Sequence, residues 1–246
     1  MVDRARLLTK DKDKTIIIKK HSSLIQIDNR KISYYWKKIF NWIVYLVKKQ
    51  LEQEPEREEF DITLAELKHI TWIEQTNNQL LKDALISIQD TFIEYNLLWK
   101  DKEEIWKRMN LISELTYIVH WKASKGMKWQ RWMVWHFTIA LPPTIRKSIK
   151  YPTMFSKLNL FLLKNLTTKY SINLYEFLKD YEKKNWWHWK ISVELCLLKQ
   201  IVWVNENTYS AFAMFRKRII DPSLEKINKS MDIKVSYIPK KTSRKY

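Results

Sequence analysis

Two stretches of this chain follow one pattern at a constant offset of 131 residues. Ile62 falls on Val193, Leu64 on Leu195, Ile70 on Ile201, Trp72 on Trp203 and Ile73 on Val204. Further on, Leu81 falls on Phe212 and Ile88 on Ile219. Each stretch reads as a short apolar-periodic helix, a turn, and a longer helix. In the first, these are Leu64–Ile70, Trp72–Glu74 and Asn77–Phe92, with Leu80, Leu81, Ala84, Leu85 and Ile88 facing inward. In the second, Val193–Ile201 and the turn Trp203–Asn205 precede a helix whose apolar face carries Phe212, Phe215 and Ile219. Chance matching of hydrophobic residues does not align the turns as well. The chain is therefore expected to hold two copies of one helix-turn-helix unit.

The copies differ in charge. Asn77–Ile93 carries only Lys82 against Asp83 and Asp90, whereas the second copy carries Arg216, Lys217 and Arg218. From Thr208 onward there are ten Lys or Arg against three acids. A helix that enters the major groove needs a polar to basic outer face, so the second copy is the expected DNA reader. Asn207 or Thr208 is the expected cap of that helix, and Pro222 is expected to bend or restart it, with Asp221 as a new cap. Asp232–Tyr237 alternates like a half-buried strand and leads to Lys240, Lys241, Arg244 and Lys245, a basic ribbon. At ~100° per residue, Ser210, Met214 and Lys217 are expected to face bases. Arg216 and Arg218 flank them, placed for phosphates or a guanine. Asn207 and Thr208 are placed for a phosphate at the helix start. The four ribbon cations are placed for phosphates or the minor groove.

The rest of the chain fills in around these units. Met1–Lys20 reads as a basic flexible arm, and Ser33–Gln53 as a helix with Ile39, Trp42, Ile43, Leu46 and Val47 inward, closed by Pro55. Phe60–Ile62 reads as a short strand. Ile93–Leu98, Leu111–Val119 and Met133–Leu141 read as the wing strands of the first unit, ended by Pro142 and Pro143. Ile145–Tyr151 and Phe155–Lys169 read as helices that join the units, and Ser171–Lys183 as the opening helix of the second. The fold expected is α+β, mainly helical, with two tandem winged-helix domains: an arm at 1–24, a first domain at 25–143 for dimerisation and supporting DNA contacts, and a second at 144–246 as the main reader.

A formal net charge of +18 favours a polyanionic partner, nucleic acid before an anionic membrane surface. The longest apolar stretch, Ile39–Val47, is too short to span a bilayer. The single Cys196 admits no internal disulfide and suits a reducing, cytoplasmic setting. Catalysis is not expected. The five histidines never form a His-x-His pair, as a DNA-nicking replication enzyme would need; no His/Cys cluster has zinc spacing, and no Gly-rich phosphate loop exists. No cofactor is expected.

Composition holds one anomaly: 1 Gly beside 13 Trp, where glycine ordinarily makes up ~7% of a chain. Trp72 and Trp203 occupy the aligned turns, where the backbone often needs positive φ and glycine supplies it. One explanation is that the source reads UGA as glycine and that many of these tryptophans are glycine in the living protein. The other is a genuinely tryptophan-rich chain.

With these residues in place, the chain resembles the plasmid replication initiators of the two-winged-helix type, the RepA/RepB/RepE-like family. YSINLYEFLKDY (Tyr170–Tyr181) and FRKRIIDPSLEKINKSMDIKVSY (Phe215–Tyr237) carry the likeness most specifically. FNWIVYLVKKQL (Phe40–Leu51) and NNQLLKDALISI (Asn77–Ile88) resemble the family's first unit. The resemblance implies binding to direct repeats (iterons) in a replication origin as a monomer, and to an inverted-repeat operator in the initiator's own promoter as a homodimer. It implies the host initiator ATPase and the replicative helicase as further partners, and no membrane. A transcriptional regulator on the same scaffold is the nearest alternative. The family's ribbon runs on for another strand, whereas this sequence stops at Tyr246, so a short wing is expected.

Overall fold

The computed structural model describes residues 16–25, 34–71, 78–96, 106–123, 131–182, 190–205 and 207–240. One long helix, α2 (Tyr34–Gln53), packs against elements that come both before and after it in the chain. Trp36, Ile39, Phe40, Ile43 and Val47 recur at three- and four-residue spacing and are all buried. So are Trp42 and Val44, which places core on more than one side of this helix. The expected cap Ser33 lies outside the described residues.

After α2 the chain forms β2 (Glu59–Thr63) and α3 (Leu64–Thr71). Thr63 and Glu66 close a reciprocal capping box: the Glu66 N–H donates to Thr63 Oγ1 at 3.1 Å and the Thr63 N–H to Glu66 Oε2 at 2.9 Å. The longer helix α4 (Asn78–Gln89) buries Leu81, Ala84, Leu85 and Ile88. It ends earlier than expected, because Phe92 already belongs to a strand. The strands that follow are β3 (Phe92–Asn96), β4 (Trp106–Asn110), β5 (Glu114–Ala123) and β6 (Arg131–Ala140). The expected single wing sheet of the first unit is thus two sheets, a β3–β4 hairpin and an antiparallel sheet in the order β2-β6-β5. Phe60 opposite Ile139 and Ile62 opposite Phe137 turn their buried faces to α2 and α3. Pro143 then opens α5 (Pro143–Lys150), where its missing N–H costs nothing.

Two expectations fail next. The segment read as a helix from Phe155 begins as a strand, β7 (Phe155–Asn159), followed by a single helical turn, α6 (Leu160–Leu163). The basic arm is also not wholly an arm: β1 (Ile17–His21) pairs antiparallel with β7, Ile18 facing Leu158 across the ladder. A turn of helix, α1 (Ser22–Ile25), then buries Leu24 and Ile25. Ser156 and Leu158 are buried and Lys157 is exposed, so β7 has strand alternation, completed by a partner far away in sequence.

The second unit opens with α7 (Lys169–Asp180), capped by Thr168, whose side chain accepts from the Ser171 N–H. Helix α7 is locked to α2 and β1 by a buried polar cluster. Lys20 Nζ donates to Asn41 Oδ1 at 2.6 Å and to Glu176 Oε2 at 2.9 Å, Lys37 Nζ reaches the same oxygen at 3.1 Å, and Asn41 Nδ2 donates to Glu176 Oε1 at 2.6 Å. Two ammonium groups share one carboxylate in a buried site. Burial, and then the neighbouring Lys37 charge, push the Lys20 ammonium down to a pKa of about 7, against the pull of Glu176.

A candidate nucleic-acid interface

Helix α8 (Leu195–Ile201) begins at the residue the repeat places opposite the start of α3. It stops in a Schellman turn. The Trp203 N–H donates to the Gln200 carbonyl at 2.9 Å and the Val204 N–H to the Lys199 carbonyl at 2.8 Å. Such a turn puts the residue after the cap in the left-handed region, and Trp203 has φ 58°. This is the position at which the sequence asks for glycine, and a side chain there costs about 1–2 kcal/mol. The indole is nonetheless only 2% exposed. It meets Trp36 edge-on at 5.6 Å between ring centroids, and Lys37 Nζ lies 5.0 Å from its ring. The second helix-turn-helix turn is therefore pinned to α2. Trp72, its counterpart, lies outside the described residues.

The loop after this turn runs further than expected. The next helix, α9 (Phe212–Phe215), starts after Ala211, with no side-chain cap. Asn207 and Thr208 are exposed in the loop and cap nothing, and Ser210 precedes the helix instead of lying on its outer face. The loop is held by Lys199, whose buried ammonium donates to the Tyr209 carbonyl at 3.2 Å, and Tyr209 itself has φ 60°. Met214 is exposed on α9, and Phe215 is buried, as the apolar periodicity requires.

The chain then passes through one π-helical turn, Arg216–Ile220, into α10 (Asp221–Ser230). The helix neither breaks nor restarts at Pro222, and Asp221 does not cap it; its N–H donates five residues back, to the Arg216 carbonyl. Arg216, Lys217 and Arg218 are all exposed. Lys217 and Arg218 have no ion-pair partner among the described residues. Arg216 is held through Nε at 3.6 Å from Asp221 Oδ2, and the other oxygen of Asp221 accepts from the Tyr237 hydroxyl at 2.5 Å. Burial at this junction, reinforced by the bond to Asp221, raises the Tyr237 phenol above its ordinary pKa.

The segment 232–236 shows the expected alternation, with Ile233 buried, Val235 half-buried, and Lys234 and Ser236 exposed, but Tyr237, expected to face inward with Ile233 and Val235, is exposed. It is not laddered to another strand among the described residues. What holds it is Asn228 on α10, whose Oδ1 accepts from the Val235 N–H at 2.7 Å and whose Nδ2 donates to the Val235 carbonyl at 2.9 Å. Lys240 is exposed at its end. Lys241, Arg244 and Lys245 lie outside the described residues. Asn228, Asp221 and Tyr237 were not among the expected site residues; the only sequence signal for them was their place inside the motif running from Phe215 to Tyr237.

In the first copy, Lys82 on α4 lies 4.3 Å from the ring of Tyr117 on β5, so the one cation of α4 is drawn onto the protein. Among the described residues no three His, Cys, Asp or Glu side chains come together in a metal-binding group, and no helix is long and apolar enough to cross a membrane.

Two helix pairs at the spacing of the repeat, the second with Arg216, Lys217 and Arg218 exposed on its final helix, fit a tandem winged-helix protein of the DNA-binding type. The comparisons with known proteins narrow this. The family model for initiator replication protein, WH1, matches residues 17–179, and that for initiator Rep protein, WH2, matches residues 197–246. The chain belongs to the initiator replication protein family. Among solved structures it is similar to the Pi initiator protein in a crystal structure with iteron DNA, at 15% identity and a TM-score of 0.61, over 95% of this chain and 94% of that one. It is also similar to domains 2 and 3 of RctB, at 11% identity and a TM-score of 0.51, over 78% of this chain and 68% of that one. No curated protein matches the sequence.

Proposed function

We propose that this chain initiates plasmid replication by binding repeated sites in double-stranded origin DNA, without catalysing a reaction itself. The observation that carries this is the row Arg216, Lys217 and Arg218, exposed on the last helix of the second unit beside the tethered segment that ends at Lys240. The family and the likeness to an initiator solved on iteron DNA support it. The N-terminal part of that helix, with Met214 and Lys217, faces bases; Arg216, Arg218 and the ribbon cations face phosphates or a guanine. The first unit, with the one cation of α4 drawn in, serves dimerisation. A two-fold dimer suits an inverted repeat, and a monomer a single direct repeat. The host initiator ATPase and the replicative helicase are the proposed protein partners, in the cytoplasm.

Transforming cells with a plasmid whose only replicon is this gene and its flanking DNA tests the proposal. Replication that is lost when the direct repeats are scrambled supports it. Replication independent of those repeats, or none while the protein still represses its promoter, overturns it in favour of a regulator. The dimer is tested on the full chain, by sedimentation with and without an inverted-repeat duplex. A fragment starting at Lys157 is unsuitable, because it would cut β7 and strip α7 of its buried partners.

A further inference from the structure

An uninterrupted α-helix cannot serve this site. Proline has no N–H, and its ring collides with the carbonyl four residues back. A π turn spreads about 4.4 residues over each revolution, or ~82° per residue, against ~100° in an α-helix. With Phe215 at the centre of the buried face, the π turn places Arg216, Lys217 and Arg218 at about 82°, 164° and 246°, a fan across the outer side. Ile219 and Ile220 then straddle the core direction at about −32° and +50°. The observed burial agrees: three consecutive exposed cations, then Ile219 at 3% and Ile220 at 4% exposure. In an α-helix Arg218 would sit at about −60°, leaning into the core, Ile220 would move out to about 140°, and Leu224 would face solvent. Leu224 is buried. The five-residue spacing of the Arg216–Asp221 pair fits the same turn.

We propose that the π turn at Arg216–Ile220, imposed by Pro222 and the paired isoleucines, is the specificity-determining device of this protein. It keeps all three cations clear of the core and fans them across the outer side, with Pro222 and Asp221 as positioning residues. The inference rests on the proposed function, because it takes α9 and this turn as the helix that enters the groove.

The test first selects duplexes from a randomised library with the full wild-type chain. Two variants are then titrated on a selected duplex and on a scrambled one, with melting temperatures recorded alongside. Pro222→Ala lifts the proline restraint. Deletion of Ile220 combined with Pro222→Ala makes a continuous α-helix that keeps Phe215, Ile219, Leu224 and Ile227 on one face and retains every cation. The double change is expected to lower the ratio of selected to scrambled affinity by about tenfold or more, because a misdirected bidentate contact loses that much. Affinity for the scrambled duplex and its salt dependence should stay within about twofold, because the phosphate-binding charge is unchanged. Pro222→Ala should lower the ratio in the same direction. A folded deletion variant that keeps the wild-type ratio overturns the inference. If that variant does not fold, Pro222→Ala decides alone, and an unchanged ratio overturns it. If the wild-type chain enriches no sequence, the proposed function fails, and the inference with it.

Discussion

Asn228 is the one side chain that hydrogen-bonds both backbone groups of Val235, and truncating it should free the segment leading to Lys240. Its two bonds, at 2.7 and 2.9 Å, are half-buried and neutral. Each contributes about 0.5–1.5 kcal/mol net, so Asn228→Ala should weaken docking of residues 233–240 by about 1–3 kcal/mol. That is a loss of roughly 5- to 150-fold in the ratio of docked to undocked forms. The core beneath α10 should not respond, because Leu224 and Ile227 remain in place. Hydrogen exchange followed residue by residue separates these effects. The Val235 amide should exchange about 5- to 150-fold faster, while amides in α7 keep their wild-type protection. Affinity for DNA should fall on selected and scrambled duplexes alike, because the segment carries phosphate contacts. An unchanged Val235 amide, or an equal loss of protection throughout the molecule, would refute the idea that Asn228 tethers this segment.

Other outcomes follow from the same structure. Trp203→Gly relieves about 1–2 kcal/mol of left-handed strain but loses roughly 3–5 kcal/mol of indole burial. Net destabilisation of about 1–4 kcal/mol is therefore expected in urea unfolding, and a variant as stable as wild type would show that the turn is built for glycine. Peptide mass spectrometry of protein from its native source tests recoding directly: UGA read as glycine predicts glycine at positions 72 and 203, and tryptophan at both ends that idea. The lowered Lys20 pKa means that the unfolded chain binds the extra proton between pH 7 and the ordinary lysine range. This group's penalty is thus full below about pH 7 and lifts as pH rises through the ordinary lysine range, so wild-type stability relative to Lys20→Met should rise steadily from pH 7 to pH 9. Equal stability differences at both pH values would refute the assignment.

What was legible in the sequence is what depends on neighbours in the chain. Helical periodicity and its repeat located α3 and α8 to within two residues: α3 runs from the expected Leu64 to Thr71, and α8 opens at Leu195 where Val193 was expected. Likewise, the alternation of Phe60 and Ile62 marked β2. The failures have a different origin. The leucines of 155–169 favour a helix, and only pairing with β1, from the far end of the chain, makes Phe155–Asn159 a strand. The same pairing turns the end of the basic arm into structure. Asn207 and Thr208 have the chemistry of caps, but Lys199 holds the loop so that the helix starts at Phe212. A wheel fixed at ~100° per residue cannot show a π turn, so it gave no sign that Ile220 would be buried beside Ile219. The buried Lys20–Glu176 cluster gave no signal, because each of its members looks like an ordinary surface charge in its own stretch of sequence.

The second unit is proposed to read base sequence with Lys217, flanked by Arg216 and Arg218, while the segment at Lys240 supplies phosphate contacts. Titrating Lys217→Ala and Lys240→Ala on selected and scrambled duplexes, at several salt concentrations, tests it most directly. Lys217→Ala should cost about 1–3 kcal/mol on the selected duplex and little on the scrambled one. Lys240→Ala should weaken both and reduce the salt slope by roughly one unit. If Lys217→Ala weakens both duplexes equally and Lys240→Ala changes neither, the protein meets DNA with another face.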